Sequence, residues 1–320
     1  MAAGTRIPLQ TLIAEARRLG FCAVGVTAPH EVDAVEWQRH EEWLSAGYAA
    51  DMDYLQQHKD IRRDPSLLFP GAQSMIVTAM NYYPDRRQQG DAQFAFYAYG
   101  ADYHWVVKEY LGRLSEWIAG NLVPENFSYE ARAFTDSAPL MERYWAVEAG
   151  LGFVGRNQLL IVPGVGSYVL LGTLITNLPV ELLSRAGVRK ERPSCGSCLR
   201  CREACPSGAL CDGYVDANRC ISYQTIESRA ERIPEEVARA LGNRVYGCDA
   251  CQEACPWNQR FARPTAIPEF HPQEHFLTLS REEIANMGSG DFKRLFAHSA
   301  VKRAGLKGLK RNVKSSEGEG

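Results

Sequence analysis

The sequence lacks any apolar run close to the ~20 residues that a helix needs to cross a bilayer. Met1 to Gln10 lack the basic-then-apolar order of a signal peptide and contain no twin arginine. We therefore expect a protein of the reducing cytoplasm with no membrane partner, in which disulfides are disfavoured. With 320 residues, 45% hydrophobic and 23% charged, the chain has the composition of a soluble protein of two or three domains.

Acidic residues are absent from positions 293–314, a stretch that holds eight Lys or Arg. Taking these eight from the 36 basic residues leaves 28 against 38 acidic residues, so the rest of the chain carries a net charge of −10. Arg303, Lys307 and Arg311 recur at every fourth position and are predicted to line one helix face. A basic end on an acidic body indicates a polyanionic partner, although charge runs more often form a solvated helix face.

Cysteine, in contrast, is concentrated: nine of the ten lie between Cys195 and Cys255, and eight of these nine are spaced to hold two clusters. The first run has the spacing Cys195-x2-Cys198-x2-Cys201-x3-Cys205-Pro206, which is that of bacterial ferredoxins. A second run, Cys248-x2-Cys251-x3-Cys255-Pro256, is one cysteine short. The pattern predicts two iron–sulfur clusters.

In ferredoxins of this type the fourth cysteine of a run ligates the other cluster. Crossed ligation gives two sets of four, Cys195, Cys198, Cys201 and Cys255 for the first cluster and Cys205, Cys220, Cys248 and Cys251 for the second. Cys211 competes with Cys220 for the last place, but it follows Cys205 closely. Cys22 lies in an apolar stretch and is interpreted as a buried core thiol.

Structural zinc is the alternative, because paired Cys-x2-Cys units also build tetrahedral zinc sites. Zinc does not require the third cysteine of the run or the Cys-Pro ending, and both are present in order. The spacing therefore favours clusters.

Helical and extended patterns alternate over about the first 180 residues, which predicts an α/β (or α+β) domain. Helices are predicted at 9–19, 103–122 and 139–149, strands at 21–27, 74–82 and 127–134, and a hairpin from 158–162 and 167–176. Residues 181–260 form the cluster domain, joined through a charged linker at 181–193. Residues 261–320 form a short helical basic region with a frayed end from Lys314.

One motif, Gly150-x-Gly152-x-x-Gly155, matches the dinucleotide fingerprint. That fingerprint needs a strand before it, a helix after it and an acid about 20 residues further on. Here the predicted order is reversed, and position 170 is Leu. The glycines are interpreted as a helix-to-strand turn.

Six ordered stretches resemble the epoxyqueuosine reductase family, and the resemblance extends from about residue 7 to about residue 313. These are Asp60–Pro65, Tyr97–His104, Thr135–Pro139, Ala149–Asn157, Arg219–Glu227 and Tyr246–Cys251. The resemblance implies reduction of the epoxide of epoxyqueuosine in tRNA to the cyclopentene of queuosine. It also implies a cobalamin held between the N-terminal domain and a ferredoxin-like domain with two [4Fe–4S] clusters.

Asp136 matches the family's proton donor, a role that needs a carboxyl pKa raised by burial. The alternative is a helix N-cap, because Asp136 and Ser137 precede the helix predicted from Pro139. The remaining residues that match cofactor-contacting positions of the family are Arg62, Asn157, Gln158, Ser222, Gln224 and Thr225. The basic end matches its tRNA-contacting region, which assigns Lys302, Arg303, Lys307, Lys310 and Arg311 to tRNA.

Two other functions remain open at this point. A cobalamin-dependent reductive dehalogenase would combine the same cofactors, but it usually carries a twin-arginine signal and has no need of a basic end. A non-catalytic two-cluster electron carrier would bind no corrin. A monomer and an unidentified low-potential electron donor complete the expectations.

Overall fold

The computed structural model describes residues 6–182 and 193–316. The linker expected at 181–193 lies almost wholly outside the described residues, as do the last four residues of the chain. The fraying expected from Lys314 is wrong for the part that is described, because the last helix continues to Ser316.

A four-stranded sheet in the order β1-β2-β7-β4 forms the centre of the N-terminal half, and all three of its pairings are antiparallel. The strands are β1 Ala23–Thr27, β2 Ser74–Asn81, β4 Ala131–Phe134 and β7 Val169–Thr176. The alternation of helix and strand along the sequence therefore produces an α+β arrangement rather than parallel βαβ units. Two short pairs complete the strands, β3 Gln93–Phe94 with β8 Arg244–Tyr246 in parallel, and β5 Phe153–Val154 with β6 Leu160–Ile161.

Helices cover both faces of the sheet, which explains why β2 is buried along nearly its whole length. In the first half they are α1 Leu9–Arg18, α2 Ala34–Ser45, α3 Lys59–Arg63, α4 Tyr103–Asn121 and α5 Glu142–Glu148. In the second half they are α6 Arg200–Glu203, α7 Ile221–Ile226, α8 Glu235–Ala238, α9 Ala250–Glu253, α10 Pro256–Phe261, α11 Glu274–Thr278, α12 Arg281–Asn286, α13 Ser289–Phe296 and α14 Gly305–Ser316. Within the described residues, none of these helices is both long and apolar enough to cross a membrane.

The predicted helices and strands of the first 134 residues are present, with β4 shorter than expected. The predicted hairpin is wrong: β6 pairs with β5, β7 pairs with β2 and β4, and only an isolated bridge joins Val162 to Gly166. Residues 150–152 form the expected turn between α5 and β5, and Gly155 follows that strand. A Cβ at Gly152 would lie 2.0 Å from the carbonyl oxygen of Ile161, so close backbone packing explains that glycine.

The C-terminal helices pack into the same core as the first residues of the chain. Side chains from α11, α13 and α14 share one apolar cluster with α1, α4 and one face of the sheet. Trp145 and Ala146 from α5 fill a second cluster on the opposite face. The basic C-terminal region is therefore part of the folded body.

Buried hydrogen bonds join the cysteine-rich segment to the sheet. The Ser167 amide donates to Asn258 Oδ1 at 2.6 Å, and Asn258 Nδ2 donates to Ser167 Oγ at 2.9 Å. Ser167 Oγ also donates to Gln252 Oε1 at 3.0 Å, and Gln252 Nε2 donates to the Tyr82 hydroxyl at 3.1 Å. These polar groups are buried and mutually satisfied, so they fix one relative position of the two segments.

Gly25 provides a test of the packing between β1 and the end of α5. A Cβ there would lie 1.9 Å from the Ala149 carbonyl oxygen and 2.9 Å from Leu151 Cδ1, so Gly25→Ala must displace backbone. We expect a loss of roughly 1–3 kcal/mol in unfolding free energy, measured by anaerobic urea titration. Gly112→Ala in α4 is the matched control, because nothing lies within 4 Å of its Cβ position and alanine favours the helix. Equal stability of the two variants would contradict the packing argument.

Candidate active site

A cleft of about 2540 Å³ opens between the sheet domain and the cysteine-rich segment. Its walls include side chains from α2, α4, α5 and α10, together with Tyr246 of β8 and Arg303. Ordinary small-molecule pockets have volumes of roughly 300–1,000 Å³. The cleft therefore has room for a large cofactor and a substrate group beside it.

Asp136 lies on the wall of this cleft, in a loop that follows β4. Its side chain is 57% exposed within the cleft, and its backbone has a φ of 54°, in the left-handed region. Asp136 Oδ2 accepts hydrogen bonds from the Tyr103 hydroxyl at 2.5 Å and from His104 Nε2 at 3.1 Å. The Asp136 amide donates to Glu142 Oε1 at 2.8 Å, so α4 and α5 hold the loop from two sides.

The pKa of Asp136 is lowered, which corrects the expectation of a raised value. Loss of surrounding water within the cleft acts to raise it, but the hydrogen bonds from His104 and Tyr103 stabilise the carboxylate and outweigh that effect. The pKa of His104 is raised to about 9, first by its hydrogen bond to Asp102 and then by that to Asp136. At neutral pH the proton of this pair therefore resides on the imidazole.

The N-cap interpretation of Asp136 and Ser137 is wrong. Helix α5 begins at Glu142, three residues after Pro139, and its N-cap residue Met141 has no side-chain cap. Sequence reasoning missed Glu142, whose pKa is raised to about 7 by burial and by the negative charge of Asp136. It also gave His104 no role, although the Asp102-x-His104 spacing before a helix marks a capping aspartate beside an imidazole.

Unpartnered polar atoms border the cleft near α2 and α3. Arg62 is 8% exposed, and its Nε has no hydrogen-bond partner. His40 Nε2 is also buried without a partner, and burial lowers the pKa of this imidazole to about 4. Buried donors of this kind are rarely left unsatisfied, so this wall is suited to a polar ligand group.

The other residues that the sequence assigns to the cofactor lie in three different parts of the structure. Gln158 lies on the cleft, where its carbonyl accepts a hydrogen bond from Arg143. Asn157 instead lines a smaller cavity among cysteines, and the Ser222 amide is directed at Cys220.

Gln224 and Thr225 do not line the cleft. Thr225 is fully buried, and its hydroxyl donates to the Ile221 carbonyl while accepting from the Gly247 amide. Gln224 Nε2 donates to the Asn218 carbonyl. Both side chains therefore hold α7 against neighbouring backbone, at Asn218 and at Gly247.

The first predicted thiol set converges on a cavity of about 150 Å³, lined by Cys195, Cys198, Cys201 and Cys255. The Arg156 amide donates to Cys195 Sγ at 3.4 Å, and the Trp257 and Asn258 amides are directed at Cys255. Among the described residues, no three ligand side chains meet closely enough to hold a single metal ion. Thiols spaced around a cavity and contacted by amide groups fit an iron–sulfur cluster.

The second predicted set is also brought together. Burial raises the pKa of Cys251 well above its usual value, and the nearby Cys248 and Cys220 raise it further. Cys205 acts on Cys220 in the same way. Cys211 instead contacts Tyr214 and the Ala209 carbonyl, so the structure favours Cys220 as the fourth member. Cys22 is half-buried, and its thiol donates to the Ala79 carbonyl as a core group.

The cluster cavity lies against the cleft. Arg156 and Trp257 line both spaces. A group in the small cavity and a group in the cleft would thus be separated by little more than these residues.

The basic residues do not form one helix face. Gly305, with a φ of 69°, separates the 3₁₀ turn Ala300–Arg303 from α14. Arg303 turns toward the cleft and pairs with Glu227 at 2.5 Å. Arg311 is half-buried and donates to the carbonyls of Ser228, Ala230 and Gln224, so its guanidinium is directed into the fold. Lys302 and Lys307 are exposed.

Comparisons with known proteins identify the two halves of this site. The family model described as epoxyqueuosine reductase QueG, DUF1730, matches residues 62–137, which include Asp136. A model described as a 4Fe-4S double cluster binding domain matches residues 194–258, which contain all eight predicted ligands.

Whole-chain relatives agree with these models. The epoxyqueuosine reductase of Synechocystis sp. is 39% identical over 283 residues, covering 87% of this chain and 94% of the relative. That of Leadbetterella byssophila is 40% identical, covering 93% and 94%.

Solved structures give the same result. A crystal structure of epoxyqueuosine reductase with an epoxyqueuosine-modified tRNA-Tyr stem loop matches with a TM-score of 0.84 at 29% identity, covering 97% of this chain and 80% of that one. The Bacillus subtilis enzyme, with its catalytic aspartate loop swung out of the active site, gives 0.85 at 30% identity, with 97% and 81% covered. The chain is an oxidoreductase that belongs to the epoxyqueuosine reductase family.

Proposed function

We propose that the protein reduces the epoxide of epoxyqueuosine in tRNA to the alkene of queuosine, with two [4Fe–4S] clusters and a cobalamin as cofactors. The observation that carries the proposal is the position of Asp136 on a large cleft whose wall, at Arg156 and Trp257, is shared with the four-cysteine cavity. The family relatives are epoxyqueuosine reductases, so they favour this function over a dehalogenase or an electron carrier without a substrate.

The residues of the cleft and of the two thiol sets fit these groups. The two thiol sets would hold the clusters, and the cleft offers Arg62, with its unpartnered Nε, to a corrin side chain or a phosphate. Bound cobalamin and clusters would supply two electrons at low potential to the epoxide carbon–oxygen bonds.

The protein's own part in the reaction is the supply of protons. Conversion of an epoxide to an alkene consumes two electrons and two protons and releases the oxygen as water. Asp136 Oδ2 faces the cleft and is joined to the proton on His104, so it can pass a proton to the departing oxygen. The Tyr103 hydroxyl also donates to Asp136 Oδ2 and so fixes the direction of this carboxylate.

The substrate would reach the cleft as an extruded nucleotide, because a base inside a stacked helix is out of reach. Lys302, Lys307 and Lys310 would contact phosphates beside the cleft, and Arg303 would face the entering nucleotide. We place the protein in the cytoplasm as a monomer that receives electrons from a low-potential donor.

The proposed function is tested by incubating anaerobic, cobalamin-loaded protein with epoxyqueuosine-containing tRNA and a strong reductant. Nucleoside analysis by mass spectrometry should show loss of one oxygen, giving queuosine. Unchanged nucleoside alongside fully reduced clusters and cobalt would refute the proposal.

Asp136→Asn should leave cobalamin binding unchanged and slow turnover by roughly 10²–10⁴-fold, because the amide cannot pass a proton to the departing oxygen. Asparagine tolerates the left-handed backbone at this position, so the loop keeps its shape. The checks are single-turnover kinetics and the visible spectrum of bound cobalamin. Normal turnover in this variant would exclude Asp136 as the proton donor.

Cys255→Ser should remove the first cluster and lower iron and sulfide from about eight to about four atoms each per chain. Cys211→Ser is the matched control and should keep the full complement, because Cys211 contacts Tyr214 and Ala209 rather than either thiol set. Both contents are measured on anaerobically purified protein. Zinc in place of iron in the unaltered protein would refute both assigned sets.

Lys307→Ala should weaken tRNA binding and reduce the slope of log affinity against log salt concentration by roughly one, since one phosphate contact is lost. Arg17→Ala on α1 is the control, because it removes an equal charge from a helix outside the basic stretch. Fluorescence-based binding at several salt concentrations measures the slope. An equal effect of the two substitutions would mean that Lys307 contributes only to net charge.

A further inference from the structure

We propose that His104, held between Asp102 and Asp136, stores the proton that reaches the departing oxygen through the Asp136 carboxylate. This inference rests on the proposed function and adds to it a positioning residue, Asp102, and a proton source, His104. The sequence patterns alone gave no catalytic role to either residue.

The three side chains form a continuous hydrogen-bonded chain. Asp102 Oδ1 lies 2.8 Å from His104 Nδ1, and His104 Nε2 lies 3.1 Å from Asp136 Oδ2. Asp102 is itself fixed, because its carboxylate also caps α4 by accepting from the His104 amide at 3.1 Å. The Tyr103 ring stacks on the imidazole with ring centroids 4.1 Å apart, so the imidazole has little freedom to rotate.

His104 lies in the first turn of α4, where the helix dipole disfavours a cation. Two carboxylates, one on each ring nitrogen, offset that effect and keep the imidazole protonated, so its pKa is raised to about 9. Other charged groups also face this hydrogen-bonded series of side chains. They are Glu142 from α5, Lys302 and Arg303 from the C-terminal turn, and Lys108 one helical turn along α4.

The proton transfer can be written with all charges accounted for. The Nε2 proton of His104 passes to Asp136 Oδ2, and the carboxylic acid so formed gives this same proton to the epoxide oxygen. The carbon–oxygen bond of the epoxide breaks with electrons from the reductant. His104 is then neutral, with its Nδ1 proton retained toward Asp102, and Asp136 is again a carboxylate. The second proton comes from solvent when the resulting hydroxyl leaves as water. Solvent then recharges His104.

Histidine NMR of the cluster-bound protein tests the stored proton directly. In the unaltered protein His104 should remain an imidazolium through pH 8, with its signal assigned by His104→Gln. Asp102→Asn removes one anion and should lower the pKa of His104 by roughly one to three units. Above that lowered pKa the store is empty, so the alkaline fall of the single-turnover rate should move to lower pH by the same amount.

His104→Gln should slow turnover by roughly 100-fold with iron and cobalamin contents unchanged. His271→Gln, an exposed histidine whose ring contacts the Thr265 carbonyl, is the control and should match the unaltered protein. An ordinary pKa of about 6.5 for His104, or an unmoved alkaline limb in Asp102→Asn, would overturn the proton store while turnover persists. Failure of the unaltered protein to convert epoxyqueuosine would instead overturn the proposed function.

Discussion

The site depends on the buried hydrogen bonds between Ser167 and Asn258. Asn258 follows Cys255 by three residues, and Ser167 precedes strand β7, so this contact fixes the first thiol set relative to the central sheet. The approach is close, because a Cβ at Gly166 would lie 2.3 Å from Asn258 Oδ1. Replacing either polar partner would leave a buried group unsatisfied, at a cost of roughly 1–3 kcal/mol. The Ser167–Asn258 contact thereby helps to position the wall that the cysteine cavity shares with the cleft.

Much of the fold could be predicted from local patterns. The long helix α4 and strand β2 show clear periodicity or apolar runs, and both were found. The hairpin prediction failed because the pairing of β7 with β2 and β4 is set by contacts far along the chain, which the turn at Gly164 does not reveal. For the same reason, the basic stretch was predicted as one helix, although Gly305 interrupts it.

The candidate site was predicted unevenly. Cysteine spacing predicted both thiol sets, including the distant Cys255, because the geometry of a cluster restricts spacing. The acid–base groups were harder: Asp136 matched a family motif, but its charge state depends on His104 and Tyr103, which lie more than 30 residues earlier. Gln224 and Thr225 match a family stretch, but their side chains bond within the fold, because position near a motif does not specify which way a helix turns its side chains.

The short turn Ala300–Arg303 has two roles that the fold does not allow to be separated. Its outer side presents Lys302 to solvent, while Ala300 and Arg303 form part of the cleft wall and the Ala300 carbonyl accepts from the Tyr246 hydroxyl. A macromolecule bound at Lys302 would therefore contact the same four-residue turn that forms part of the cleft wall.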